Sequence, residues 1–239
     1  VILAVDAGNS RIKWGAHDGR NWQRRGWAAT TDSAALGREW SSLETPKRIV
    51  VSNVAGTAVR RELEQLFSPW LAEVCWVAAV AEQCGVRNGY DQPAQLGSDR
   101  WAALIAAWRR CGRCCVVVNA GTALTADALN DDGEFVGGLI VPGLVAMQRS
   151  LAANTAALQM MPGAYADFPT KTADAIFSGA LCAMAGAVEK MVAALSRKLG
   201  HMPDCLVSGG NAELVRTRLS VAATIVDNLV LDGLIEIIK

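Results

Sequence analysis

The sequence predicts an α/β protein built as two related lobes. Two observations predict it. Short β-branched apolar runs alternate with segments of helical periodicity along the 239 residues. The stretch LAVDAGNSRIKWG, residues 3–15, also returns in design as VVVNAGTALTADA, residues 116–128. Each copy reads as apolar strand, Asp or Asn, Ala, Gly, a polar residue, then a second strand. Asp6 and Asn119 stand 113 positions apart, about the length of one small domain. The lobes are therefore expected over residues 1–113 and 114–239.

The elements follow in order. Val1 to Val5 is an apolar strand, Gly8-Asn9 turns, and Arg11 to Ala16 returns as the second arm of a hairpin. RIVVSNV, residues 48–54, is a further strand. A helix follows it, with Val59, Leu63, Leu66 and Phe67 on one face. EVCWVAA is a third strand. VRNGYDQPAQLGSDR lacks periodicity and reads as a long loop, a length usually tied to function in compact domains. Arg100 to Arg110 is helical, because Trp101, Leu104, Ile105 and Trp108 recur at i, i+3, i+4 and i+7. Cys114 to Val118 is a β-branched strand, and EFVGGLIV another, ended by Pro142-Gly143. Ile176, Leu181, Met184, Val188, Met191, Val192, Leu195 and Leu199 mark a long helix from Thr172 to Leu199. Leu206 to Ser208 is a strand meeting Gly209-Gly210, a helix begins near Ala212, and Asn228 to Ile238 is a final apolar helix.

Composition narrows the function. Apolar residues make up 51% of the chain, enough for a packed core and too many for a disordered segment. Lys plus Arg and Asp plus Glu number 23 each, so no basic field exists to attract nucleic acid. No apolar run reaches the roughly 18–20 residues of a membrane span. No basic, apolar, small-residue leader opens the chain, so a cytoplasmic protein is expected. The start at Val1, already strand-like, suggests excision from a longer polypeptide. Seven cysteines read as reduced thiols. Cys111, Cys114 and Cys115 give one CxxC. A zinc site needs a second ligand pair, and only His17 and His201 are available elsewhere, so packing at a strand start is the expected role.

The turns carry the chemistry. Gly8 and Gly121 let backbone N–H groups approach an anion, because no Cβ intervenes. With Asn9, Ser10 and Lys13 beside it, the first turn can hold phosphate oxygens. Asp6 then binds Mg²⁺ that bridges those phosphates. The alternative is a type I′ turn with a salt-bridged aspartate. The second copy and the Gly209-Gly210 turn favour a nucleotide site. Asp99, in LGSDRW, reads two ways. At a helix start it satisfies free N–H groups, which lowers its pKa. At the end of a long loop it can accept a hydroxyl proton in phosphoryl transfer, which demands little basicity. Arg100 offers a planar fork to a carboxylate or phosphate. Thr172 is an N-cap or part of an anion site.

DAGNSRIKW, NGY, LGSDRW, AGTALTAD, GGLIVPG, TKTADAIFSG and VSGGNAELV occur in the order found in type III pantothenate kinases, a group that includes the Bvg accessory factors. The resemblance runs from residue 3 to about residue 215. It implies two ribonuclease-H-like lobes of the actin-like ATPase superfamily (acetate and sugar kinases, Hsp70, actin). It implies ATP-dependent phosphorylation of pantothenate to 4′-phosphopantothenate, the first step of coenzyme A synthesis. By the same match, Asp6, Ala7, Gly8, Asn9, Ser10, Arg11, Ile12 and Lys13 form the ATP phosphate loop. Thr122, Gly209 and Gly210 join them. Tyr90, Gly97, Ser98, Asp99, Arg100 and Thr172 bind pantothenate, and Asp99 accepts the proton of its primary hydroxyl. Members form homodimers, and similar domains are fused to a biotin protein ligase.

The sequence departs from the family at Asn119. Many members carry an aspartate there that holds potassium or ammonium. An amide oxygen coordinates without the charge, so no strong monovalent-cation requirement is expected. Asp127, read as part of the same turn, is a candidate to share metal or water positioning. Two other functions fit the same residues: an ATP-binding regulatory module of the actin-like kind, and a kinase of another small hydroxy acid.

Overall fold

The computed structural model describes residues 1–154 and 161–239. These divide into two units, Val1–Arg109 with Leu229–Lys239, and Arg110–Asn228.

The first unit opens with β1 (Ile2–Ala7), β2 (Arg11–His17) and β3 (Trp22–Ala29), an antiparallel meander. After α1 (Ser33–Trp40) comes β4 (Arg48–Asn53), parallel to β1. After α2 (Thr57–Phe67) comes β5 (Glu73–Trp76), parallel to β4. The sheet order is β3-β2-β1-β4-β5. One face buries Leu3, Val5, Ile12 and Trp14 against Leu36 and Trp40 of α1 and Val59, Leu63 and Phe67 of α2. Alternation along β1 then places Asp6 on the other face. The hairpin of β6 (Glu82–Gln83) and β7 (Val86–Asn88), with a 3₁₀ turn at Pro93–Gln95, occupies the stretch expected as an unbroken loop. It leads into α3 (Ser98–Cys111).

In the second unit, β8 (Cys115–Ala120), β9 (Ala123–Leu129) and β10 (Glu134–Pro142) form a second antiparallel meander. Helices α4 (Leu144–Asn154) and α5 (Thr172–Leu199) follow. The strand β11 (Asp204–Ser208) is then parallel to β8. After α6 (Ala212–Arg216), β12 (Thr224–Ile225) lies parallel to β11. Read as β10-β9-β8-β11-β12, this repeats the order of the first sheet, strand for strand. The internal repeat in the sequence is therefore a repeat of topology. Its two hairpins share even the burial pattern of their second arm. The order, with three antiparallel strands and two parallel ones, is that of the ribonuclease-H-like lobe.

Helix α5 is long and apolar enough to cross a membrane by its 28 residues and mean hydropathy of 1.4, although no such run was expected. Its apolar stripe is used internally. Leu181, Met184, Val188, Val192 and Leu195 pack on the β8–β9 face formed by Val116, Val118, Leu124 and Ala126.

The final helix α7 (Leu229–Ile237) belongs with the first unit and not with residues 114–228, as the sequence boundary had placed it. The reason is local packing. Gly233 lies so close to α3 that a Cβ there would stand 1.8 Å from the carbonyl oxygen of Ala102. Trp22 Nε1 donates to Asp232 Oδ1 at 2.9 Å, and Arg48 Nη1 donates to the Ile238 carbonyl at 2.6 Å. Gly233→Ala gains about 1 kcal/mol of helix propensity, but overpacking costs about 1–3 kcal/mol or more. Backbone cannot yield as a side chain can, so a net loss of stability is expected. A denaturant midpoint unchanged or raised in this variant would contradict the packing.

Candidate active site

In the first unit the site starts from β1. Asp6 pairs with Lys13 across the hairpin and with Ser52 of β4. Asp6 is 9% exposed, and its carboxyl is pushed up to about 7. Burial is the main cause, and repulsion from Asp99 adds to it; Lys13 opposes both. Such a displacement sets about 4 kcal/mol against the charged form. Neither Asn9 nor Ser10 takes the positive φ that a type I′ turn requires, and the raised carboxyl of Asp6 is not that of a salt-bridged aspartate. Lys13 is too weak a partner to offset the burial.

The turn itself is tied down. Gly8 N–H donates to the Arg11 carbonyl at 3.1 Å, and Thr30 Oγ1 donates to the Gly8 carbonyl at 2.7 Å. Asn9 and Ser10 are exposed at its tip. Ala7 and Ile12 point into the helix-covered core, so only their backbone can reach a ligand. Arg11 stacks on exposed Trp27, its guanidinium carbon 4.3 Å from the ring centroid, so Lys13 is the basic residue beside Asp6.

Asp99 lies in the first turn of α3. Trp101 N–H donates to the Gly97 carbonyl at 2.9 Å and opens the helix there. A Cβ on Gly97 would meet Asp99 Oδ1 at 2.6 Å, so a side chain there would displace that carboxylate. That oxygen accepts from Arg100 N–H at 2.8 Å. A helix-start aspartate was expected to have a lowered pKa. The opposite holds, because burial outweighs the backbone N–H bonds and Arg100, and the carboxyl is raised. Arg100 is buried, and its Nη1 donates to Tyr90 Oη at 3.1 Å. Tyr90 is held in turn by its own N–H, which donates to Asn88 Oδ1 at 3.1 Å. Ser98 and Ser52 share a buried hydroxyl–hydroxyl bond of 2.9 Å. Sequence reasoning missed Ser52. The signal was a lone hydroxyl inside the apolar run RIVVSNV.

In the second unit, Asn119 precedes the equivalent turn and Thr122 lies within it. Gly121 N–H donates to the Ala123 carbonyl at 2.9 Å, and Gly143 N–H donates to the Thr122 carbonyl at 3.0 Å. Gly209 closes on the same place with φ +102°, where a Cβ would lie 2.6 Å from the Ala120 carbonyl and 2.7 Å from Asn119 Oδ1. Gly121 and Gly209 therefore approach Asn119, Gly143 closes on the neighbouring Thr122, and Gly210 is exposed next to them. Asp127 is not in that turn. It is buried within β9, in register with Val117 and Gly138. Thr172 is the first residue of α5 and makes no cap, since Lys171 holds the N-cap position without a side-chain bond. Thr172 lines a groove of about 540 Å³ with Pro142, Met147, Leu151 and Ile176 among its walls.

A sequence model of the type III pantothenate kinases matches residues 2–194. The chain belongs to the type III pantothenate kinase family. A type III pantothenate kinase of Nitrosospira multiformis is 54% identical over 239 residues, covering 100% of this chain and 91% of the relative. One from Aromatoleum aromaticum is 45% identical over 236 residues, covering 98% and 96%. Among solved structures, a putative Baf family transcriptional activator from Campylobacter jejuni shares the fold at a TM-score of 0.61 and 21% identity, over 99% of this chain and 96% of that one. The fold is that of the actin-like ATPases, as the sequence resemblance implied.

A buried carboxylate under repulsion leaves a signature in the unliganded protein. The raised Asp6 makes the folded state bind protons more tightly than the unfolded chain. Stability is then highest below the ordinary carboxylate range and falls as pH rises toward about 7. Asp6→Asn removes that penalty. It is expected to raise the melting temperature at neutral pH, to flatten the pH dependence between about 4 and 7, and to abolish kinase activity. Equal melting curves for the two proteins at pH 7.5, roughly the range where the penalty is complete, would refute the burial argument.

Proposed function

We propose that this family member transfers the γ-phosphoryl group of ATP to the primary hydroxyl of pantothenate, giving 4′-phosphopantothenate for coenzyme A synthesis, with Asp99 as the proton acceptor. The observation that carries the assignment is the pair of carboxylates in the first unit. Asp6 and Asp99 repel each other, and each is raised by burial. Two carboxylates in one environment take different roles when their partners differ. Asp6 has Lys13 across the hairpin and the phosphate-loop turn beside it. Asp99 has Arg100 and Tyr90 beside it, groups suited to a carboxylate-bearing alcohol.

Kinases of this family use ATP and a divalent ion. Asp6 suits a hard divalent cation such as Mg²⁺, because a charge-starved carboxylate oxygen is the ligand that such an ion prefers. Bound there, the ion neutralises charge on the phosphates. The chain's own groups do the rest. The N–H groups of the Gly8–Ser10 turn and Lys13 hold the phosphates, with Thr122, Gly209 and Gly210 as their counterparts in the second unit. Arg100 and Tyr90 orient the carboxylate end of pantothenate, Gly97 and Ser98 shape the pocket around Asp99, and Thr172 offers a hydroxyl at the groove. Asp99, raised and therefore more basic than an ordinary aspartate, accepts the hydroxyl proton as the loose transition state develops. Homodimerisation is supported by exposed apolar side chains on β10 and α4: Leu139, Ile140, Val145 and Leu151.

The test is direct. With ATP, Mg²⁺ and pantothenate, mass spectrometry should find 4′-phosphopantothenate from the wild type. Asp99→Asn should fall by about 10²–10⁴-fold in kcat while still binding ATP. The acid limb of kcat/KM should lie above the ordinary carboxylate range, since Asp99 must be deprotonated to act. No product from a wild type that binds ATP would favour the regulatory module; turnover of a different hydroxy acid would favour the third reading.

The cation question has its own variant. Asn119 supplies an amide oxygen where many members supply a carboxylate. Activity is expected to be similar in potassium, ammonium and sodium, and Asn119→Asp should introduce stimulation by potassium or ammonium. A wild type that requires potassium would overturn this reading of Asn119.

A further inference from the structure

Far from the glycine turns, the second unit assembles three donors of a different kind. Cys114 immediately precedes β8, Asp131 follows β9, and His201 follows the C-cap Gly200 of α5. Cys114 Sγ lies 3.7 Å from His201 Nδ1, and His201 Nε2 lies 2.8 Å from Asp131 Oδ2. The other carboxylate oxygen accepts from Cys114 N–H at 3.1 Å. One donor atom from each residue falls within 4.8 Å of the other two. The sheet explains the convergence. β8 and β9 pair antiparallel, which brings residue 131 back beside residue 114, and Asp204 opens β11 opposite Cys115. The site therefore sits at the beginning of β8, whereas Asn119 and Gly121 sit at its end, about 17 Å away at strand rise.

We propose that Cys114, Asp131 and His201 bind a zinc-class divalent ion, with water completing the tetrahedron. The distances suit it. With Zn–S of about 2.3 Å and Zn–N of about 2.0 Å, tetrahedral ligands lie roughly 3.6 Å apart, and the thiol and imidazole already stand at 3.7 Å. The remaining adjustment falls on mobile side chains. Asp131 and His201 are 44% and 47% exposed, which also gives the ion a way in, whereas Cys114 is fixed and fully buried. The charges suit it too: one thiolate and one carboxylate neutralise a dication. The donor set of sulfur, nitrogen and oxygen selects zinc over magnesium, which prefers oxygen alone. The neighbouring cation, Arg113, donates to the Met202 carbonyl at 3.1 Å and pairs with Asp204 at 3.8 Å, and it also lies beside the Cys114 thiol, where its charge favours the thiolate that a metal binds. The second ligand pair missing from the CxxC in sequence is thus supplied by the fold, through Cys114 alone of that motif.

The experiment uses the whole chain, reduced and stripped with a chelator, then exposed to Zn²⁺ and desalted. Metal analysis should find one Zn²⁺ per chain, and Co²⁺ in its place should show a thiolate-to-metal charge-transfer band. Zn²⁺ should raise the melting temperature of the wild type. His201→Ala and Asp131→Asn change exposed side chains, so both should fold. Each should weaken Zn²⁺ binding by at least the 10–100-fold that loss of a supporting partner costs, and lose the melting shift. Cys111→Ser should bind as the wild type does. A wild type that retains no Zn²⁺ overturns the proposal. So does retention by His201→Ala equal to wild type, or loss in Cys111→Ser, either of which would move the ion to other thiols.

Discussion

The candidate site of the first unit depends on one constraint, the burial of two carboxylates, Asp6 and Asp99, with repulsion from Asp99 adding to the cost at Asp6. Neither carboxylate sits where it would serve stability. Asp6 lies next to the end of a strand whose other residues are all apolar, and Asp99 turns back on its own helix. The surrounding structure holds them there: Lys13 across the hairpin, Ser52 in register on β4, and the Ser52–Ser98 bond that ties β4 to the start of α3. A core of tryptophans backs the sheet. Trp14 and Trp40 meet edge to face at 6.2 Å, and Trp40 stacks on Phe67 at 5.7 Å. Well-packed aromatics on one face let the opposite face keep charge that water would otherwise solvate.

The two units answer the same problem differently. Each brings its first strand to a glycine turn, and each lays a parallel strand alongside it. In the first unit the strand end carries a charge, and the turn is left open, with Asn9 and Ser10 exposed. In the second the strand end carries an amide, and Gly121 and Gly209 approach it. The two units thus share a strand order while the side chains at their turns differ.

How much of this was legible depended on whether a signal was local. The hairpins showed in the sequence because strand alternation and the glycine turn coincide within about fifteen residues. Asp99 and Arg100 were legible from LGSDRW, but the direction of the Asp99 shift was not, since it depends on burial set by distant residues. Strand β3 was missed because WQRRGWAA is largely exposed and shows no apolar alternation. Helix α1 has two buried residues and α4 has one, too few to declare a face. Arg11 and Lys13 stand two residues apart on β2, so alternation alone puts both on one face, and only the stacking of Arg11 on Trp27 tells them apart. The return of α7 to the first unit, and the meeting of Cys114 with His201, are tertiary facts with no short-range trace.

Asn119 shows how a departure from a family pattern can be read physically. Its Oδ1 lies where a Cβ on Gly209 would come within 2.7 Å, and one on Gly121 within 4.0 Å. The side chain is thus held by glycines on two sides, and space there is set by backbone. An aspartate has almost the same shape as an asparagine, so such a pocket would accept either. The exchange alters charge and donor capacity while leaving packing alone. A carboxylate so enclosed would be driven to recruit a cation, for the same reason that burial raises Asp6. An amide is under no such pressure. In the reading proposed above, dependence on a monovalent cation is therefore a property of one charge, separable from both the fold and the chemistry that Asp99 performs.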